Sequence, residues 1–108
     1  MLEYELERQF TLEISVALTG RDGRPHKGTF HATFRSVEMS EARKIVRDGD
    51  EMVLERALVS LGDDLVLRDS TGQKIEDPEL RRTAVLEQPK LASSLAAAYW
   101  AEESGKKP

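Results

Sequence analysis

Gly23 and Gly28 have the glycine spacing of a phosphate-binding loop. Such a loop continues with Lys and then Ser or Thr at the start of a helix, so that an ammonium group reaches the β- and γ-phosphates. Here Thr29-Phe30 follow and no helical pattern begins, so the glycines read as parts of a loose hairpin loop. A calcium loop with Gly72 at its sixth position would put Leu67 where the first aspartate ligand must stand. The two histidines, His26 and His31, fall short of the three protein ligands a catalytic metal site usually needs. His31 belongs to the polar side of a strand and His26 to a loop, and both read as exposed and chemically idle. The chain has no cysteine, which removes thiol nucleophiles, disulfides, iron–sulfur clusters and cysteine-based zinc sites. Paired acids occur at Asp63-Asp64 and Glu76-Asp77, at expected turns and helix starts, where capping accounts for them without catalysis. The chemistry therefore reads as non-enzymatic, with no cofactor and no metal.

Charge points to one further candidate. The net charge is -4, but residues 21–37 carry +3 through Arg21, Arg24, Lys27 and Arg35 against Asp22. Arg21, Arg24 and Lys27 could meet nucleic-acid phosphates. They stand in a loop without Phe, Tyr or Trp for base stacking, on a domain that is acidic overall. Nucleic-acid binding is thus kept only as an alternative, behind the reading of a solvated loop.

These residues must be positioned by a chain of 108 residues, the size of one ordinary domain. No apolar run approaches the roughly 20 residues of a membrane-spanning helix. The first residues, Met1-Leu2-Glu3-Tyr4-Glu5, are acidic and lack the pattern of a secretion signal, which makes an intracellular location the expectation.

From Leu2 to Leu18 the even positions are apolar except Arg8, and the odd positions are polar except Ala17. This alternation predicts a half-buried strand, clearest from Phe10 to Leu18, with a helix still open before Gln9. A glycine- and proline-containing loop over 19–28 follows. Phe30, Ala32 and Phe34 then define a second strand, and the two form an antiparallel hairpin whose apolar face must meet other elements. Ser40 reads as the N-cap of a short helix carrying Ala42, Ile45 and Val46, ended by Asp48-Gly49-Asp50. From Glu51, the residues Leu54, Ala57, Leu58 and Leu61 recur at helical spacing up to Gly62. Leu65-Val66-Leu67 is a third strand or a buried loop. Asp69-Ser70-Thr71-Gly72 has type I turn chemistry. Asp77-Pro78-Glu79 starts a helix whose buried side is Leu80, Ala84, Val85 and Leu86. Pro89 interrupts or restarts it, and a last helix runs from about Leu91 to Glu103. The fold class is α+β: residues 1–37 a hairpin, 38–103 about four helices, 104–108 a flexible tail.

The last helix has an unusual pattern. At about 100° per residue, Leu91, Ala92, Leu95, Ala98 and Tyr99 share one side, and Ser93, Ala96, Ala97 and Trp100 the other. A helix sandwiched in the core would look like this. So would one that offers a small-residue groove with an aromatic anchor to a partner, or to a second copy.

From Arg56 to Tyr99 the chain runs through an apolar helix (Arg56–Leu61), the turn Asp69-Ser70-Thr71-Gly72, the helix start Asp77-Pro78-Glu79-Leu80, Leu86-Glu87-Gln88-Pro89, and a final helix ending in Ala98-Tyr99. This order of elements resembles the tail assembly chaperones of long-tailed bacteriophages. The resemblance implies a small non-catalytic protein of the bacterial host cytoplasm. It would coat the helical tape measure protein and keep it soluble until tail tube protein polymerises around it. Members often make a longer form by ribosomal frameshifting, with which Ser104-Gly105-Lys106-Lys107 is compatible. On this reading Trp100, with Ala96, Ala97 and Tyr99, is the docking face. The alternatives are a structural tail or neck component that oligomerises through its hairpin edge, and the nucleic-acid regulator using Arg21, Arg24 and Lys27.

Overall fold

The structure, a computed structural model, describes residues 1–48 and 52–104, and the side chains of these except 46–48 and 104. The alternating segment forms β1 (Gln9–Thr19), which turns through residues 20–24 into β2 (Pro25–Arg35). The two pair antiparallel along their whole length, with Ile14 opposite Phe30 and Gln9 opposite Arg35. Gly23 takes φ +76° in the turn, a left-handed conformation that glycine adopts without penalty. The strand does not reach back to Leu2, and no helix precedes it: residues 1–8 lie outside regular structure. Leu2 and Leu6 stay exposed, so alternation alone did not make a strand where no neighbouring strand was present to pair.

Two helices follow the hairpin, α1 (Met39–Asp48) and α2 (Val53–Ala57), and then a short strand, β3 (Leu58–Leu61). Helix α1 starts one residue before Ser40, with Ala42 N–H bonding the Glu38 carbonyl at 2.8 Å, so Ser40 is helical rather than the N-cap. The expected helix end at Asp48-Gly49-Asp50 and the tail residues 105–108 lie outside the described residues.

The helix expected from Glu51 to Leu61 is corrected. It ends at Ala57, and Leu58–Leu61 pair antiparallel with β2 to complete a three-stranded sheet of order β1-β2-β3. Two features explain the change of period. The open side of β2 offers backbone partners to this segment. Arg82 then satisfies the carbonyls freed where α2 stops: its guanidinium donates to the Leu54 and Glu55 carbonyls at 3.0 Å each and to the Leu58 carbonyl. Gly62 ends a strand rather than a helix. A Cβ there would come within 2.8 Å of the His31 carbonyl oxygen. Leu65–Leu67 is irregular and not the third strand.

Asp69 organises the next turn, its carboxylate accepting from Thr71 N–H at 2.9 Å, Thr71 Oγ1 at 2.5 Å and Gln73 N–H at 3.1 Å. The Thr71 hydroxyl, before the other donors, holds the Asp69 carboxyl below its usual range. Asp77 caps α3 (Pro78–Leu86) by accepting from Glu79 and Leu80 N–H at 2.9 and 3.1 Å. Pro89 opens α4 (Pro89–Ser104), taking the first position where no N–H partner is needed.

The core lies between one face of the sheet and the helices. Ile14, Val16, Phe30, Ala32 and Phe34 point into it, while Thr11, Glu13, Ser15 and His31 face water. Val53, Leu54 and Ala57 from α2, Val85 from α3 and Leu95 and Tyr99 from α4 complete it. Leu80, expected on the buried side of α3, is 62% exposed; Val85 is the buried residue there. Among the described residues no charged side chain is buried and no buried polar side-chain atom lacks a partner.

Candidate docking groove

Helix α4 packs along Ala92, Leu95, Ala96 and Tyr99, all buried. This is the i, i+3, i+4, i+7 stripe of a helix seated on a sheet. The residues expected to form one docking face therefore divide. Ala96 and Tyr99 belong to the core, Ala97 is exposed, and Trp100 is half-buried at the edge of the stripe. The helical wheel misplaced Ala96 because its small side chain gives no sign of direction. The structure buries Ala96 in the core cluster, where a small side chain allows close packing.

Tyr99 anchors this end of the helix. Its ring lies 5.6 Å from Phe34 and 6.1 Å from Phe10, centroid to centroid. Its hydroxyl accepts from Val37 N–H at 3.1 Å, tying α4 to the link between β2 and α1. Burial pushes the Tyr99 phenol up to about 12, so the hydroxyl keeps its proton throughout the ordinary pH range. One turn on, Glu103 accepts from Arg8 Nη2 at 3.1 Å and Ser36 Oγ at 2.9 Å, and the Arg8 guanidinium sits 4.6 Å above the Phe10 ring.

A mostly apolar groove of about 440 Å³ lies between α4 and the start of α1. Val37, Met39 and Ala42 form one wall and Tyr99 and Trp100 the other, with Arg43 and Glu103 at the rim. The Trp100 ring meets Tyr99 edge-on at 5.4 Å, which fixes its inner edge. Met39 is 68% exposed at the mouth. Thioether and indole side chains on an open wall suit apolar contacts that adapt to varied shapes. Of the four residues picked out in α4, Tyr99 and Trp100 line the groove, and Ala96 and Ala97 do not. Val37 and Met39 were missed in the sequence. The one signal they give is that two apolar residues, separated by Glu38, follow directly after the polar end of β2.

The basic candidates lie elsewhere. Arg21 and Arg24 are in the hairpin turn and Lys27 near the start of β2, all exposed. Asp22 sits among them, accepting from Arg24 N–H at 3.0 Å and facing His26 Nε2 at 3.4 Å, which offsets part of their charge. His31 is exposed but not idle. Its Nδ1 is 2.7 Å from Asp64 Oδ2, its N–H donates to Asp64 Oδ1 at 3.0 Å, and Glu13 is 3.8 Å from Nε2. The Asp64 hydrogen bond raises the His31 pKa, and the His31 backbone N–H, then its ring, lowers that of Asp64. This pair joins β2 to the loop after β3. Among the described residues no group of three or more His, Cys, Asp or Glu is arranged to hold a metal. Within the same residues no helix is long and apolar enough to cross a membrane.

The chain matches no known protein family, no curated protein and no solved structure.

Proposed function

We propose that this chain is a non-catalytic tail assembly chaperone of a long-tailed phage. It holds apolar helical segments of the tape measure protein in the groove between α1 and α4, in the cytoplasm of the bacterial host. The observation that carries the reading is the open apolar wall of Met39, Val37 and Trp100, built on a rigid aromatic base (Phe10, Phe34, Tyr99). A surface of this kind buries area with little loss of side-chain freedom at Trp100, whose inner edge is already fixed. The acidic body around it keeps the complex soluble. A shallow groove gives weak individual contacts. Many copies each hold one segment of a long helix weakly, and each can be displaced by the arriving tail tube protein.

Co-expression with the tape measure protein of the same phage tests this. The expected result is that the tape measure protein moves from the insoluble to the soluble fraction and co-purifies with this chain. With Met39→Asp it should stay insoluble. No change on co-expression with the unaltered chain removes the assignment.

A further inference from the structure

Strand β1 is an edge strand: among the described residues, only β2 pairs with it. It has 11 residues and contains no Lys, Arg, Pro or Gly and one charge, Glu13. Natural edges are usually blunted by such residues or by bulges, and β1 pairs with β2 in unbroken register. Its free side can be identified. On β2, the His31 carbonyl accepts from Gly62 N–H on the β3 side at 2.7 Å, and Ser36 N–H donates to the Arg8 carbonyl on the β1 side at 3.1 Å. Odd residues of β2 therefore turn their backbone to β3 and even ones to β1. By the register, the even residues of β1 face β2. The N–H and C=O groups of Gln9, Thr11, Glu13, Ser15, Ala17 and Thr19 face outward. One of these carbonyls, that of Ala17, accepts a long 3.4 Å hydrogen bond from Lys90 Nζ, an exposed and flexible donor that can swing away.

We propose that this edge pairs with the β1 edge of a second copy of the chain, antiparallel about a twofold axis at Ile14, joining the two three-stranded sheets into one. The sequence of β1 fits its own reverse. Gln9 then faces Thr19 of the second copy, Thr11 faces Ala17, and Glu13 faces Ser15. On the core side Phe10 meets Leu18, Leu12 meets Val16, and Ile14 meets Ile14. Every outward backbone group from Gln9 to Thr19 gains a partner. Leu18, 49% exposed in the single chain, is covered by Phe10 of the second copy. Moving the axis by one residue to Glu13 sets Glu13 against itself, a repulsive pair, and shortens the overlap. The contact is roughly 37 Å long, from about 3.4 Å per residue in an antiparallel strand. This pairing does not depend on the groove between α1 and α4.

Sedimentation velocity of the full chain over a concentration series, with two exposed-site variants, tests it. Ser15→Glu sets two pairs of like charges across the axis, and Ser15→Lys two opposite pairs. The chain is expected to dimerise. Ser15→Glu should weaken the dimer about tenfold or more while Ser15→Lys matches or tightens it, each keeping the circular dichroism of the parent. A parent chain that stays monomeric at about 0.5 mM overturns the proposal, as does a dimer on which the two variants have the same effect.

Discussion

Tyr99 does two jobs with one side chain. Its ring fills the centre of an aromatic cluster, and its hydroxyl accepts the part-buried Val37 N–H at 3.1 Å. Tyr99→Phe keeps the ring and leaves that N–H without a partner. The expected loss is about 1–2 kcal/mol in urea unfolding, with no change in the far-ultraviolet spectrum. The His31–Asp64 pair gives a pH signature. The raised His31 pKa adds stability that is fully present below about 6.5 and fades as pH rises through the folded value. The lowered Asp64 pKa adds stability that is present above about 3.8 and fades as pH falls through its folded value. The difference in unfolding midpoint between the parent and Asp64→Asn should therefore be largest between about pH 4 and 6.5 and shrink on either side. A difference that is flat with pH contradicts the pair. Neither residue gives this away in sequence, because 33 positions separate them and only the fold of β3 across β2 brings them together.

At the scale of elements, legibility followed the range of the forces. The hairpin, the Asp69 turn, the Asp77 cap and the terminal helix were readable because each rests on neighbouring residues: alternation, a side-chain acceptor, a proline at a helix start. The segment from Val53 to Leu61 was not. Its apolar residues fit helical spacing, yet Leu58–Leu61 became a strand because β2 had a free side and Arg82, far along the chain, capped the shortened helix. Long-range partners of this kind leave no local pattern. Arg82→Met keeps much of the aliphatic packing but frees the Leu54, Glu55 and Leu58 carbonyls. It should cost about 2–3 kcal/mol and increase amide exchange selectively in α2 and β3. Exchange that rises equally everywhere argues that Arg82 acts globally and not as a cap. The docking face was legible only in part for the same reason: Trp100 could be read from α4 alone, whereas Val37 and Met39 become its neighbours only when α1 is placed.

At the scale of the whole molecule, helices cover one face of the sheet and the other is left to water, with an edge strand on one side and an apolar groove at the end of α4. The residues that line the groove are not those of the edge, and Phe10 alone takes part in both, beneath Tyr99 in one and on β1 in the other, so association through one does not preclude the other. In the proposed function the groove takes an apolar helix, and the chain contains its own reporter, since Trp100 is its one tryptophan. The direct measurement is titration of Trp100 emission with synthetic helical peptides from the tape measure protein. A saturable blue shift is expected as water leaves the exposed edge of the indole. Met39→Asp should abolish it: this substitution charges the mouth of the groove, and an acid in the first turn of α1 suits the helix dipole and preserves the fold. Emission that stays constant up to about 1 mM peptide, or a shift that Met39→Asp leaves intact, contradicts it.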